Sequence, residues 1–389
     1  MALSFEEFRE LMPVAERFVY FNHAGTGPLP TSTVKVLAEF CKRQSETGEV
    51  PYAEAEEKVE EARKRVADLL HLPASHIAFT KNTSAGVQTA IGSLEWQPGD
   101  NVVLMKDDFP TVTYPFLLML PDVEKRWVKS EDLVKDPQAL LRLVDERTRC
   151  VAVSWVHFLT GRRFDVAAIC RFCRERGVFT VIDAIQGVGV LDLDWSEIGA
   201  DIVCSHAAKW LLSPQGSGFM AVRPESLERM KPYGLGWLSA EWKEFNDIFS
   251  MKPLKPDASR FEESTKSYLS IYGLNASVRL FLDAGMGAIE ARVRKLGVRL
   301  RAGLAAHGFE VVTPPENERS AGMVTAHKPG TCTGSIHAWL RAGNMVCALR
   351  ENLLRIAPHY YNTEDEVDRF VERAAAPEAA GVKPSECKT

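Results

Sequence analysis

Lys209 lies in the run Cys204–Leu212 (CSHAAKWLL), twenty-six residues after Asp183, which ends the apolar run Phe179–Asp183 (FTVID). A carboxylate at the C-terminal end of a buried parallel strand can keep a pyridine nitrogen protonated, and a lysine among apolar neighbours can form an imine with an aldehyde. Taken singly, an Asp after a strand is turn chemistry and a lysine is a solvated side chain. Together they point to pyridoxal 5'-phosphate (PLP).

Other segments supply the remaining parts of such a site. Phe79–Gly86 (FTKNTSAG) places Thr83 and Ser84 where a strand gives way to a helix, and helix N-termini favour a phosphate dianion. Phe109, in a loop after Asp107 and Asp108, offers a ring to stack on a pyridine. His157, at the end of Val153–Gly161, reaches the same rim, where it can touch cofactor or substrate. Gln186, three residues past Asp183, is placed to meet the cofactor's phenolic oxygen. Near the C-terminus Arg355 stands in an apolar strand; a buried guanidinium needs an anion, either an internal acid or a substrate carboxylate. Asn362 and Thr363 then cap a helix with an acidic first turn.

These residues must be carried by alternating elements. Helical periodicity appears over Glu56–Leu70, Ala85–Leu94, Pro137–Val144 and Val166–Arg176. Short apolar runs, Ile77–Thr80, Asn101–Met105, Cys150–Val156, Phe179–Asp183 and Asp201–Cys204, separate them. The alternation predicts an α/β fold with a mostly parallel sheet covered by helices on both faces. After about residue 255 two long helices, Lys266–Ala284 and Gly287–His307, precede strands at Phe309–Val312, Met323–His327 and Met345–Ala348. The predicted division is an N-terminal segment (1–19) packing on the small domain, a large PLP-binding domain (20–255), a small C-terminal α+β domain (256–375) and a disordered tail (376–389).

The chain has 389 residues, 46% hydrophobic and 25% charged, with net charge -5, so nothing favours nucleic acid or an anionic membrane as partner. The start lacks a signal peptide's basic and apolar regions, and no apolar run is long enough to span a membrane, which makes the cytoplasm the expected location. The eight cysteines lack a dense framework and are expected as free thiols. Cys170 and Cys173 form a CxxC on a helical pattern without a second pair, which reads as core packing; no metal site is expected.

Taken together, these segments resemble the class V aminotransferase family of fold-type I PLP enzymes, which includes cysteine desulfurases, kynureninases and isopenicillin N epimerase-like proteins. The landmarks are Tyr20–Pro28 (YFNHAGTGP), Asp183–Gln186 (DAIQ), Lys209–Gly218 (KWLLSPQGSG), Arg260–Thr265 (RFEEST) and Arg355–Thr363. The resemblance implies that Lys209 binds the cofactor and shuttles the Cα proton, Asp183 pairs with the ring nitrogen, and Thr83, Ser84 and Ser205 or His206 hold the phosphate. It implies that Phe109 stacks on the ring and that Gln186 contacts the phenolic oxygen. Arg355 would take the substrate carboxylate, with Asn22, His23, Ala24 and Gly25 nearby. Ser264 and Thr265 match a segment that reaches a neighbouring subunit's phosphate, which implies a homodimer.

Three departures matter. Ala208 stands where many relatives have His, Phe158 where desulfurases place Asn, and the stretch Val346–Arg355 is too short for the loop that carries a persulfide-forming cysteine. Cys347 falls in an apolar strand and reads as structural, leaving Cys332 as the candidate thiol. The expected chemistry begins with an imine between cofactor and amino acid and loss of the Cα proton to Lys209. β-Elimination from a sulfur-substituted amino acid, a C–S lyase reaction, ranks ahead of transamination. Epimerisation would need His23 or His157 as a second base, and desulfuration a thiol. A catalytically silent binding module is opposed by Lys209, Asp183 and Arg355, and nicotinamide chemistry by the lack of a Gly-x-Gly-x-x-Gly turn.

Overall fold

The computed structural model describes residues 3–136, 138–192, 194–231, 233–242, 247–314 and 320–376. The first stretch holds helices α1 (Phe5–Glu10), α2 (Val14–Arg17), α3 (Thr31–Thr47) and α4 (Tyr52–Leu70), with strand β1 (Val19–Tyr20) ahead of α3. Then come β2 (Ile77–Thr80), α5 (Thr83–Gly92), β3 (Asn101–Met105), α6 (Pro110–Met119), β4 (Glu124–Val128) and α7 (Ser130–Lys135). They are followed by β5 (Thr148–Ser154), α8 (Val166–Glu175), β6 (Phe179–Asp183), α9 (Trp195–Ile198), β7 (Ile202–His206), β8 (Gly218–Val222) and α10 (Pro224–Leu227). The C-terminal part contains α11 (Tyr268–Ala284), α12 (Met286–Ala306), β9 (Glu310–Val311), β10 (Val324–His327) and α13 (Thr333–Ala342). It closes with β11 (Met345–Val346), β12 (Ala348–Arg350), β13 (Leu353–Ile356) and α14 (Glu364–Ala375).

The large sheet has the order β2-β8-β7-β6-β5-β3-β4, and β8 alone runs against its neighbours. Its central strands are buried along their whole length, which is why they read as continuous apolar runs rather than alternating ones. Because the strands are parallel, the ends of β2, β3, β5, β6 and β7 lie along one edge, and β8 starts there, with Gly218 opposite both Thr80 and His206. A four-stranded antiparallel sheet, β12-β13-β10-β9, forms the C-terminal layer.

Several predicted elements change. Pro137–Val144 is not an α-helix: Pro137 lies outside the described residues, and the regular part that remains is a 3-10 turn at Leu141–Leu143. Phe109 and Pro110 do not sit in an open loop but begin α6, with Pro110 in its first turn, where a missing N–H is harmless. Helix α11, predicted to lie in the small domain, packs on α3 and α4, and its Leu274, Val278 and Phe281 join the core of the large sheet. The separate core of the C-terminal sheet begins at Leu296 in α12, one helix later than the predicted boundary. Val19 and Phe21 also belong to that core, because β1 pairs in parallel with β11. Ahead of β1, Phe8 meets Phe281 and Tyr360 edge-on, and Arg9 pairs with Glu366 of α14. Thr363 caps α14 in a reciprocal capping box with Glu366, as its sequence predicts. Of the predicted tail, all but Ala376 lies outside the described residues. No helix among the described residues is long and apolar enough to cross a membrane.

Candidate active site

At the edge formed by the strand ends, Asp183 is 2% exposed and accepts a hydrogen bond from Ile185 N–H at 2.9 Å. Burial pushes its pKa up to about 6, against the opposing pull of that N–H and of Lys209. Lys209 follows β7 and is half-buried. Burial brings its pKa down to about 8, with the charges of Arg355 and Arg350 adding to the effect and Asp183 opposing it. The Lys209 ammonium lies 5.6 Å from the centre of the Phe109 ring. Asp183 and Lys209 therefore face one space, each held in a state from which a cationic ring and an aldehyde would release it.

The β2–α5 junction is built as a cup. Asn82 caps α5 by accepting from Ala85 N–H, Thr83 Oγ is buried without a hydrogen-bond partner, and Ser84 Oγ meets Thr111 Oγ of α6 at 3.1 Å. A Cβ on Gly218 would lie 2.5 Å from Asn82 N, so only glycine lets β8 approach this turn. Ser205 is buried on β7. His206 accepts from Gly216 N–H through Nε2, and burial with the Lys209 charge pulls its pKa down to about 4. It is a neutral ring whose other nitrogen carries the proton.

Arg355 is buried on β13 and donates to Phe158 O at 2.8 Å, while its Nε has no partner. Burial, with Arg350 adding, brings it down to about 10. Asn22, which bridges to Ala357 two residues beyond Arg355, has a buried side-chain oxygen without a partner. Gly25 N–H donates to Asn22 O, and Gly27 N–H donates to Ala208 O, which ties this loop to the lysine segment.

Other predicted residues are placed differently. His23 is fully buried, with Nδ1 on Ala357 O and Nε2 on Tyr361 OH, and its pKa falls well below the usual range through burial. It has no ring nitrogen left for a Cα proton. His157 likewise spends Nε2 on Asp107 O and Nδ1 on Thr160, which ties it to the loop after β3 and to its own strand end. Gln186 donates to Ala24 O and accepts from Trp210 Nε1, which leaves one amide proton for any other partner. Ser264 accepts from Trp237 Nε1, and with Thr265, Thr80, Lys81 and Gly216 it lines a cavity of about 450 Å³ beside the β2–α5 junction.

The thiols also differ from expectation. Cys332 is buried at the start of α13 with its sulfur in a disulfide, so it is not the free nucleophile considered above. Burial pushes Cys347 up to about 12. Asp108, not singled out in the sequence, is buried beside this site and accepts from Ser154 and from Phe109 N–H. Its signal was the acidic pair immediately before the aromatic residue. No cluster of metal-ligating side chains occurs among the described residues.

The residues present fit PLP: an unpaired hydroxyl in the phosphate cup, a buried carboxylate with a single hydrogen bond, and a lysine of lowered proton affinity. Such a site on such a sheet defines a PLP-dependent enzyme of fold type I. The chain belongs to the aminotransferase class-V family, whose model matches residues 19–370. It is 28% identical to a probable cysteine desulfurase of Methanothermobacter thermautotrophicus, over 94% of this chain and 96% of the relative. It is 29% identical to the isopenicillin N epimerase of Streptomyces clavuligerus, over 94% and 96%. A probable hercynylcysteine sulfoxide lyase of Mycobacterium tuberculosis is also 29% identical, over 90% and 87%. Among solved structures, the cystine C-S lyase C-DES in complex with cysteine persulfide has the same fold, with a TM-score of 0.86 at 21% identity, over 94% of this chain and 99% of that one.

Proposed function

We propose that this protein takes a sulfur-substituted α-amino acid, removes its Cα proton and expels the sulfur group from Cβ, as a C–S lyase. The observation that carries this reading is the inventory of groups at the site. Lys209 would be the base there, whereas both candidate second bases, His23 and His157, are engaged at both ring nitrogens. Of the free thiols among the described residues, five are buried and the sixth, Cys41, lies on α3. Among the described residues, neither a free second base for epimerisation nor an accessible acceptor thiol for desulfuration stands at the site in this reading. The relative named as a sulfoxide lyase supports the same choice.

Bound PLP supplies the electron sink for the pair left at Cα. Asp183 would keep the ring nitrogen protonated, and Phe109 would cover the ring. Thr83, Ser84, Ser205 and His206 take the phosphate at the N-terminus of α5. Arg355 would hold the α-carboxylate with its free Nε, and the unpaired Asn22 oxygen, an acceptor, would take a donor beside it. Lys209 accepts the Cα proton in its neutral form, then hands it as an ammonium to the departing sulfur. The protein is a homodimer in this reading, in which Ser264 and Thr265 serve the second copy's phosphate.

The test is incubation of the PLP-loaded protein with pooled amino acids and cysteine conjugates, followed by mass analysis. Pyruvate with a released thiol or persulfide, the cofactor remaining an aldehyde, supports elimination. Accumulation of pyridoxamine phosphate would replace it with transamination, and inversion at Cα without pyruvate would replace it with epimerisation.

A further inference from the structure

The corner between β3 and α6 holds a carboxylate that the chemistry above leaves unused. Asp108 is 7% exposed and accepts three hydrogen bonds: from Phe109 N–H at 2.7 Å, Ser154 N–H at 2.8 Å and Ser154 O–H at 2.5 Å. Ser154 is the last residue of β5 and stands opposite Asp183, the last of β6. One side chain thus joins the adjacent ends of β3 and β5, next to the strand that carries the ring partner. Burial, to which the charge of Asp183 adds, raises the proton affinity of Asp108.

A buried carboxylate is expensive unless all its partners are in place, and a neutral side chain would avoid that cost. What the acid offers here is two acceptor oxygens for three donors on two different elements. The donors fix parts of the cofactor cradle. Phe109 is the cap residue of α6, and its ring stands near Lys209. In the first turn of the same helix Thr111 meets Ser84, in the first turn of α5. The corner therefore governs both the face that would cover the ring and the turn that would take the phosphate.

We propose that Asp108 is a positioning residue of this active site: it locks the β3–α6 corner so that Phe109 and the α5 turn meet the cofactor while Asp183 engages it from the neighbouring strand. The proposal rests on the cofactor contacts assigned above to Phe109 and Asp183, not on which reaction follows. Asp108→Asn is the informative change, because it replaces one acceptor oxygen by a donor that must face Ser154 or Phe109 N–H.

The experiment measures the dissociation constant for PLP and the circular dichroism induced in the bound cofactor, for wild type, Asp108→Asn, Phe109→Leu and the double variant, with Tm recorded for each. Asp108→Asn should raise the dissociation constant at least about tenfold and weaken the induced signal. Because it acts in part through Phe109, the double variant should be less impaired than the two single effects combined would make it. Fully additive effects would overturn the proposal, as would an Asp108→Asn protein with lowered Tm but unchanged affinity and induced signal. A wild-type protein that binds no PLP would overturn the functional reading as well, and that arm separates the two failures.

Discussion

Replacing Asp183 by Asn should stabilise the cofactor-free protein while abolishing its activity. The carboxylate is buried, has one hydrogen bond from Ile185 N–H, and holds a pKa of about 6 against 3.8 for an ordinary aspartate. Between those values the folded chain binds more protons than the unfolded one, so this group's contribution falls as pH rises through the window. Above the folded value the whole shift, about two pKa units, acts against the fold, which amounts to about 3 kcal/mol. Asn keeps an oxygen for Ile185 N–H and carries no charge to desolvate. For a chain of this length that gain corresponds to a rise in Tm of about 4 °C. Thermal unfolding of the two cofactor-free proteins, side by side near pH 7.5 and near pH 5, checks it; at the lower pH the gain should shrink to about half. With PLP bound the order should reverse, because wild type then gains a cationic partner for its carboxylate. An Asn variant that is no more stable without cofactor, or whose advantage does not change with pH, would refute the reasoning.

Lys209→Ala should abolish the borohydride-reducible chromophore of the PLP-loaded protein, read by absorbance and by mass of the reduced adduct. With Lys209 brought down to about 8, attachment of PLP to the cofactor-free protein should speed up as pH rises to about 8 and then level off, where an ordinary lysine would still be gaining towards 10.5; stopped-flow absorbance checks this. The same shift makes the cofactor-free fold gain stability with rising pH across that window, since the unfolded chain then binds the extra proton. Arg355→Ala should raise KM for amino acids by about 30-fold or more, from the loss of a charge-assisted pair worth on the order of 2–5 kcal/mol, with PLP affinity little changed. Gly27→Ala would set a Cβ 2.1 Å from Lys209 O, and should yield protein that fails to retain PLP on gel filtration.

The strands that carry the site were legible because each is a short apolar run ended by a polar residue, and buried parallel strands leave that mark without alternation. The helix at Pro110–Met119 was not, because it is apolar on several sides and contains Pro115. Strand β8 was hidden behind Gly216 and Gly218, residues that read as loop but here let its start approach Asn82. The predicted domain boundary followed the change from alternating elements to long helices. The packing boundary follows which face of α11 is buried, and that depends on α3 and α4, more than 200 residues earlier.

Among the site residues, the difference between those the structure leaves open and those it closes lies in their partners. Lys209, Asp183, Arg355 and Thr83 each retain an unmet demand: a raised or lowered proton affinity, or a buried polar atom without a bond. His23, His157 and Gln186 stand equally near in sequence to the landmarks, but backbone carbonyls and buried side chains have already taken all or most of their capacity. Buried polar groups in a folded protein are normally satisfied, so unsatisfied ones where the large sheet's strand ends meet the C-terminal layer mark the place where a ligand would bind. A sequence gives the residue types that could meet there. Only the fold shows which of them still have something to bind.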